Sequence, residues 1–177
     1  MKFLFVVNEA QFFLSHRLAL GLEAKARGHE VVVASAANTG EERLSEHGLQ
    51  HVSLPLSRSG FNLIEEFRVY RALCRLYREL NPHLVHHVTI KPVIYGSFAA
   101  RRMGMGAVVN AVPGMGLIFS RRGWWSGLAR ASVNLMYRLA FSGLATKVIF
   151  QNTEDLKAFV AHGIVTRSDA ILIRGSG

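Results

Sequence analysis

The sequence predicts an α/β fold: a doubly wound, mostly parallel Rossmann-like sheet with helices on both faces. Three observations predict it. Short apolar runs recur along the chain, as in strands buried on both faces of a parallel sheet. Longer segments with apolar residues at helical spacing separate these runs. Hydrophobic residues make up 50% of the 177 residues, which is enough to form the core of one domain.

The first half of the chain alternates predicted strands and helices. Residues 3–7 form an unbroken apolar run, which is typical of a buried parallel strand. Ser15 is expected to cap the next helix and Gly28 to end it, so that the following strand completes a βαβ unit. Asn62 is expected to cap a long helix. The predicted strands of this half are residues 3–7, 30–35 and 51–54, and the predicted helices are residues 15–28, 41–47 and 62–80.

The long helix that begins after Asn62 has two chemically different faces. We expect its apolar face to pack on the core and its arginine face to lie in solvent. The apolar face holds Leu63, Phe67, Tyr70, Leu73, Leu76, Tyr77 and Leu80, and the other face holds Arg68, Arg71, Arg75 and Arg78.

The alternation continues to the end of the sequence. Pro92 suits the first turn of a helix, and Thr153 is expected to cap the last one. Residues 113–116 are predicted to form a loop after a strand. The predicted strands are residues 84–88, 107–112, 147–150 and 170–173, and the predicted helices are residues 92–104, 124–142 and 153–162.

Positive charge is concentrated in one stretch of the chain. Between Glu79 and Glu154 there is no aspartate or glutamate, and this stretch supplies eight of the nine net positive charges. Its basic residues are Lys91, Arg101, Arg102, Arg121, Arg122, Arg130, Arg138 and Lys147. Because Trp124 and Trp125 lie within it, we expect a large anionic partner or a membrane surface.

Cysteine content and hydropathy indicate the compartment. Cys74 has no second cysteine to pair with, which fits a reducing environment. The apolar run at residues 3–7 is too short for a signal peptide, and Arg130 and Arg138 interrupt the most hydrophobic helix. We therefore expect a cytoplasmic domain that touches a membrane from one side.

The first loop argues against a dinucleotide site. Residues 8–17 contain no glycine, and no phosphate-binding P-loop occurs anywhere in the chain. His16 and Arg17 are expected to open the first helix, where backbone N–H groups favour anions, although His16 is equally suited to the surface. Lys91 lies between a strand and a helix start, where it would help to cradle a phosphate or would simply be solvated.

Two other groups of residues have more than one interpretation. His86 and His87 point to opposite faces of one strand; packing is favoured over metal binding because no carboxylate or cysteine is near them in sequence. Gly114 and Gly116 would offer backbone N–H groups to an anion or merely shape the turn. The membrane-contact prediction comprises Arg121, Arg122, Trp124 and Trp125, since indole rings settle at the level of lipid headgroups and guanidinium groups meet lipid phosphates.

Three motifs carry a resemblance to a known family. They are FFLSHR at residues 12–17, IKPVIYGS at residues 90–97 and IFQNTED at residues 149–155. In this order they resemble bacterial family 4 glycosyltransferases, in particular the branch that adds a sugar to an undecaprenyl-diphosphate-linked acceptor. The resemblance implies one half of a GT-B fold: residues 1–177 as the acceptor-binding domain, ending at the interdomain linker, with the donor-binding domain absent.

The resemblance also implies a division of roles. An acceptor site would comprise Asn8, His16, Arg17, Lys91, Tyr95, Gly114, Met115 and Gly116, and Gln151 and Asn152 would line the cleft near the reacting sugars. The full enzyme would use a UDP-sugar donor, bound mainly by the other domain, with retained stereochemistry and no required metal or other cofactor. Pro113 stands where many relatives carry a sugar-contacting histidine, so that role is not transferred.

Two other functional classes are compatible with the sequence. One is a non-enzymatic module that binds anionic membranes; nucleic acid is not expected, since the arginines alternate with aliphatic rather than aromatic residues. The other is a stand-alone nucleotide-binding Rossmann module.

Overall fold

The computed structural model describes residues 1–57, 62–112 and 124–174, and of residues 124–130 it describes the backbone only. The strands of these residues are β1 (Lys2–Val6), β2 (Glu30–Ala36), β3 (Gln50–Leu54), β4 (Leu84–Val88), β5 (Val108–Val112), β6 (Thr146–Phe150) and β7 (Ala170–Leu172). The helices are α1 (Ala10–His16), α2 (Leu18–Ala26), α3 (Glu41–Glu46), α4 (Leu63–Leu80), α5 (Ile90–Arg102), α6 (Trp124–Phe141) and α7 (Thr153–Ala161).

The strands of the described residues form one parallel sheet in the order β3-β2-β1-β4-β5-β6-β7. β2 and β3 lie on one side of β1, and β4 lies on its other side. The strand order therefore reverses between β1 and β4. The predicted α/β, Rossmann-like class is confirmed.

Helices cover both faces of this sheet because the strands are apolar on both sides. On one face, Leu4 and Val85 pack with α4 and α5. On the other face, Phe5 and Val33 pack with α1, α2 and α3. Further along the sheet, Phe150 packs with α6 and α7.

The first helix differs from the prediction. It starts at Ala10 and ends at His16, and α2 begins at Leu18, so Arg17 is the junction between two helices. Ser15 does not cap a helix, because its hydroxyl donates back to the carbonyl oxygens of Gln11 and Phe12. Serine inside a helix commonly makes this type of bond.

Helix α4 has the predicted cap but a different buried face. Asn62 Oδ1 accepts a hydrogen bond from the Ile64 N–H at 3.0 Å, as expected of an N-cap. Leu63 and Phe67 were expected in the core but are 75% and 58% exposed. The buried residues of α4 are Glu66, Val69, Leu73, Leu76 and Tyr77. The core therefore contains the carboxylate of Glu66, and the large apolar side chains of Leu63 and Phe67 are exposed.

The last helix is capped by Asn152 rather than by Thr153. Asn152 Oδ1 accepts a hydrogen bond from the Asp155 N–H at 2.7 Å, and its amide donates to Asp155 Oδ2 at 2.8 Å. Thr153 is the first residue of α7.

A buried polar network ties β4 to its neighbours. His87 is fully buried, and its ring nitrogens bond Tyr77 Oη at 2.6 Å and Asn110 Oδ1 at 2.7 Å. Ser97 donates to the same Asn110 oxygen at 3.2 Å, and the Asn110 amide donates to Thr146. Because each of these polar groups has a partner, the network links α4, β4, α5, β5 and β6 at little cost in desolvation.

Candidate functional site

The candidate site is the crevice at the carboxyl ends of β1 and β4. In open α/β sheets, ligands bind where the strand order reverses, which here lies between these two strands. In the parallel register, Phe5 lies opposite His86 and Val6 opposite His87. Asn8 lies two residues after the end of β1, and Thr89 directly follows β4. We call this place the switch-point crevice.

Both residues that open the switch-point crevice carry buried oxygen atoms without a partner. Within residues 1–57, 62–112 and 124–174, neither Asn8 Oδ1 nor Thr89 Oγ1 has a hydrogen-bond partner. Such an atom costs about 1–3 kcal/mol when it stays unpaired. Such atoms after two neighbouring strands, where the strand order reverses, are well suited to receive donor groups of a ligand.

Thr89 also has an unusual backbone. Its φ of 77° and ψ of 161° lie outside the regions that β-branched residues ordinarily adopt. Such a conformation costs on the order of 1–3 kcal/mol and is found mainly at functional sites. Thr89 precedes α5, and its side chain makes no capping bond, so the N-terminal N–H groups of this 13-residue helix can serve an anion.

Lys91 lies in the first turn of α5 and is held by an ion pair. Its Nζ lies 2.6 Å from Glu66 Oε1 and 3.3 Å from Ser57 Oγ. The side chains of Lys91 and Glu66 are only 18% and 6% exposed. The sequence around Lys91 contains no carboxylate, but the fold brings Glu66 of α4 to it. Lys91 is therefore not the isolated cation that the sequence alone indicates.

Tyr95 lies one turn further along α5, beside the same carboxylate. Burial, and then the negative charge of Glu66, raise the pKa of the Tyr95 hydroxyl above its usual value. This hydroxyl therefore stays protonated at neutral pH; it donates its proton to Glu66, and its oxygen can still accept a hydrogen bond from a ligand.

His16 and Arg17 lie at the junction of α1 and α2 rather than at the start of the first helix. The exposed His16 ring stacks on Phe12 at 4.3 Å and bonds the Ser15 hydroxyl. Arg17 is half-buried, and burial lowers the pKa of its guanidinium group. Its charge also contributes to the low pKa of His86, so Arg17 lies close to the inner part of β4.

Gln151 follows β6, and Asn152 follows Gln151. Asn152 is engaged with Asp155 as the cap of α7, which leaves Gln151 as the more accessible amide at this strand end. Lys91 and Tyr95 thus share one face of α5 beside Glu66, whereas Asn8 lies after β1 and the two amides lie after β6.

Several predicted residues cannot be placed. Gly114, Met115, Gly116, Arg121 and Arg122 lie outside the described residues. Trp124 and Trp125 are the first residues of α6, but their side chains lie outside the described part of the chain. Across the described residues, no helix has both the length and the apolarity needed to cross a membrane, and no cluster of three metal-ligating side chains occurs.

Comparison with known proteins identifies the family of this domain. The sequence profile described as glycosyl transferase 4-like matches residues 2–152. The chain belongs to this family. The family resemblance seen in the three sequence motifs is thereby confirmed, as is the classification of this domain with transferases.

Known proteins similar to this glycosyltransferase 4-like domain are longer than it. The N,N'-diacetylbacillosaminyl-diphospho-undecaprenol alpha-1,3-N-acetylgalactosaminyltransferase of Campylobacter jejuni is 25% identical over 151 residues, which cover 81% of this chain and 40% of that enzyme. Acinetobacter baumannii MurG superposes with a TM-score of 0.62 at 12% identity, covering 99% of this chain and 45% of MurG. Anabaena HepE, solved in complex with UDP and glucose, gives a TM-score of 0.63 at 14% identity, covering 98% of this chain and 44% of HepE.

Sequence reasoning missed three residues of this glycosyltransferase 4-like domain's crevice. Glu66 sits in the first turn of α4, where acidic residues are common for reasons of helix polarity, so nothing marked it as a site residue. Ser57 has no motif around it, and Thr89 lies just before the motif at residues 90–97. Only Lys91 offered a signal in the sequence. Its part of the chain contains no carboxylate, so a half-buried Lys91 needs a counter-charge from another part of the chain.

Proposed function

We propose that this chain is the acceptor-binding domain of a retaining glycosyltransferase that moves a sugar from a nucleotide-sugar to a lipid-diphosphate-linked sugar. The pair of unpaired oxygens in the switch-point crevice, Asn8 Oδ1 and Thr89 Oγ1, carries the proposal. They suit the hydroxyl and amide donors of a sugar. The N-terminus of α5 beside them suits the diphosphate.

The ion pair of Lys91 and Glu66 has a place in this scheme. Lys91 carries the positive charge for the diphosphate, and Glu66 fixes its position. Tyr95 and Glu66 add further hydrogen-bonding groups for the acceptor. The His16–Arg17 junction and the residues 114–116 complete the acceptor site, and Gln151 and Asn152 line the cleft near the reacting sugars.

The names of two similar proteins support the choice of both substrates. The Campylobacter enzyme is named for a diphospho-undecaprenol-linked acceptor, and HepE was solved with UDP and glucose. The donor of this protein is accordingly a UDP-sugar, held mainly by a second Rossmann-like domain outside these 177 residues, and transfer needs no metal. The reaction belongs to polysaccharide or glycan biosynthesis.

The location proposed for this domain is the cytoplasmic face of the bacterial plasma membrane. Arg121, Arg122, Trp124 and Trp125 would rest on the anionic lipid surface, so that the lipid chain of the acceptor need not leave the bilayer.

Calorimetric titration of the chain tests this function. The ligands are a short-chain prenyl diphosphate linked to N-acetylglucosamine, inorganic pyrophosphate and a UDP-sugar. We expect the acceptor analogue to bind and the UDP-sugar to bind weakly. Asn8→Ala removes an oxygen that has no internal partner, so it should weaken acceptor binding about tenfold without loss of stability.

The matched control is Gln50→Ala, which removes an exposed amide at the start of β3. It should leave all three affinities unchanged. Tight binding of the UDP-sugar to this chain, or equal acceptor affinity in Asn8→Ala, would contradict an acceptor-binding role.

A further inference from the structure

An apolar groove runs along the outer face of α5, between α4 and α6. It encloses about 500 Å³. Its apolar lining residues are Leu63, Phe67, Tyr70, Tyr95, Phe98 and Met136. Leu63 and Phe67 are the side chains that the core leaves outside. We call this feature the α5 groove.

One stripe of α5 connects the α5 groove to the switch-point crevice. Lys91, Tyr95, Phe98 and Arg102 are spaced by four, three and four residues, which places them along one face of the helix. At a rise of about 1.5 Å per residue, this stripe extends roughly 16 Å. Glu66 lines the groove and also binds Lys91, so the two features share one end.

The charges at the two ends of the α5 groove differ in their surroundings. At the crevice end, the Lys91 charge is matched by the buried Glu66 carboxylate. At the far end stand Arg101 and Arg102. Arg102 also borders a neighbouring cleft that contains Arg71, Arg75 and Arg78. The same cleft contains Glu79, which pairs with Arg75 at 2.7 Å, so the far end of the groove keeps a net positive charge, as a surface that meets lipid phosphates would.

Arg101 keeps the far end of the groove in place. Its Nη1 donates to the carbonyl oxygens of Leu139 at 2.6 Å and Ser142 at 2.7 Å, at the end of α6. Its guanidinium group lies 5.3 Å from the centre of the Phe98 ring. The wall formed by α6 is thus attached to α5 through a residue of the groove itself.

We propose that the α5 groove holds the isoprenoid segment next to the diphosphate of a polyprenyl-diphosphate acceptor; this inference rests on the proposed function. The diphosphate would sit at the N-terminus of α5, and the apolar chain would run over Tyr95 and Phe98 between Phe67 and Met136. It would reach Arg102 at the end of α5. A groove that is apolar along its length, open at the side and basic at its exit suits one lipid chain better than it suits a flat bilayer surface.

Binding of geranylgeranyl diphosphate and of inorganic pyrophosphate to the whole chain tests this groove. The parent protein should bind the prenyl compound at least about tenfold more tightly than pyrophosphate, because apolar area is buried. Leu63→Ser and Phe67→Ser should each lower this ratio by about threefold to tenfold while pyrophosphate affinity stays the same. Both side chains are exposed, so the variants should fold, which thermal unfolding checks.

Leu20→Ser is the matched control, because Leu20 is a 48% exposed leucine on α2, and α2 covers the other face of the sheet. It should leave the ratio unchanged. The inference is overturned if the prenyl compound keeps its higher affinity over pyrophosphate in both groove variants. It is also overturned if this affinity ratio falls equally in Leu20→Ser. Loss of vesicle binding in the groove variants with an unchanged prenyl advantage also overturns it, because the same residues would then meet bilayer lipid.

The two proposals fail in different ways. Pyrophosphate binding without any prenyl advantage overturns the α5 groove and leaves the acceptor role standing. If neither pyrophosphate nor geranylgeranyl diphosphate binds, the proposed function fails and the groove assignment fails with it.

Discussion

At the scale of single residues, the two adjacent histidines of β4 show how one strand serves two different environments. His87 points to the α4 and α5 face, where Tyr77 and Asn110 satisfy both of its ring nitrogens. His86 points to the opposite face and stacks on Phe5 at 5.3 Å, and its Nε2 has no hydrogen-bond partner among the described residues. Packing rather than metal binding was the favoured interpretation of both, and the structure buries both.

Burial of these histidines predicts a loss of stability in mild acid. Burial lowers the pKa of His87 to about 4 and that of His86 to about 3, the latter with a contribution from Arg17. In the unfolded chain both titrate near 6.5, so between pH 6.5 and 4 the unfolded state binds more protons than the folded state. The stabilising contribution is therefore complete above pH 6.5 and declines as the pH falls.

The expected size of this effect is about 4 kcal/mol between pH 7 and pH 5 for the two histidines together. Urea unfolding at pH 7, 6 and 5 measures it. His86→Phe keeps the stacking on Phe5 and removes one titrating ring, so it should remove about half of the pH dependence. A free energy of unfolding that is constant between pH 7 and pH 5 would show that these rings are not buried in the neutral form.

At the scale of elements, the closest approach in the site region is that of α5 to β4. A Cβ atom added at Gly96 would lie 2.4 Å from Cδ2 and Nε2 of His87. The ring cannot move aside, because it is held by hydrogen bonds on both sides. Glycine at this position thus sets the depth at which α5 lies on the sheet, and with it the place of the crevice and the groove.

Gly96→Ala should destabilise the protein by about 1–3 kcal/mol, because overpacking of a well-packed site forces the helix or the ring to shift. Denaturant unfolding gives the measurement. Gly106→Ala is the control, since an added Cβ there meets no atom within 4 Å. Equal stability of Gly96→Ala and Gly106→Ala would mean that α5 is not fixed by this contact.

The elements also show what a sequence can and cannot predict. The apolar run at residues 84–88 predicted β4 with the bounds that the structure has, because a strand buried on both faces leaves an unbroken pattern. The predicted side-chain facing along α4 was wrong for Leu63 and Phe67, which are exposed, and Glu66, which was assigned to neither face, is buried. A helical pattern predicts which residues share a face. Which side chains are buried depends on the tertiary structure: Glu66 is buried where it pairs with Lys91, and Leu63 and Phe67 are exposed.

Site prediction was limited for the same reason. Lys91 could be chosen because it lies between a strand and a helix start in a doubly wound sheet, whereas Asn8 and Tyr95 were chosen through the family resemblance. Glu66 and Ser57 reach Lys91 from distant positions in the chain, and no local pattern encodes these contacts. The backbone conformation of Thr89 likewise leaves no trace in composition or periodicity.

At the scale of the whole molecule, the charge asymmetry seen in the sequence is partly changed by folding. Of the eight cations in the stretch without carboxylates, Lys91 is paired with Glu66 and Lys147 with Asp169, both from outside that stretch. Arg102 is exposed at the end of α5 and joins Arg71, Arg75 and Arg78 of α4 around one cleft. Exposed positive charge therefore gathers along α4 and the end of α5, next to the apolar α5 groove.

This distribution predicts binding to anionic vesicles that depends on ionic strength. In flotation experiments the chain should associate with vesicles of anionic phospholipid and much less with neutral ones. Raising the salt concentration well above 0.15 M should weaken the association, because the screening length falls below about 8 Å. Replacing Arg121 and Arg122 by Gln, and Trp124 and Trp125 by Ser, should abolish it if these residues form the membrane contact.

The control for flotation is Leu20→Ser combined with Arg27→Gln, which removes one apolar side chain from α2 and one charge beside its end. It should float like the parent chain. Unaffected flotation of the fourfold variant would contradict a contact at the start of α6. If the fourfold variant floats normally and Phe67→Ser loses most of its flotation, the membrane contact lies on α4 instead, since Phe67 is exposed beside the arginine face of that helix. The two helices flank the same groove, so the experiment also decides from which side a lipid chain would enter it.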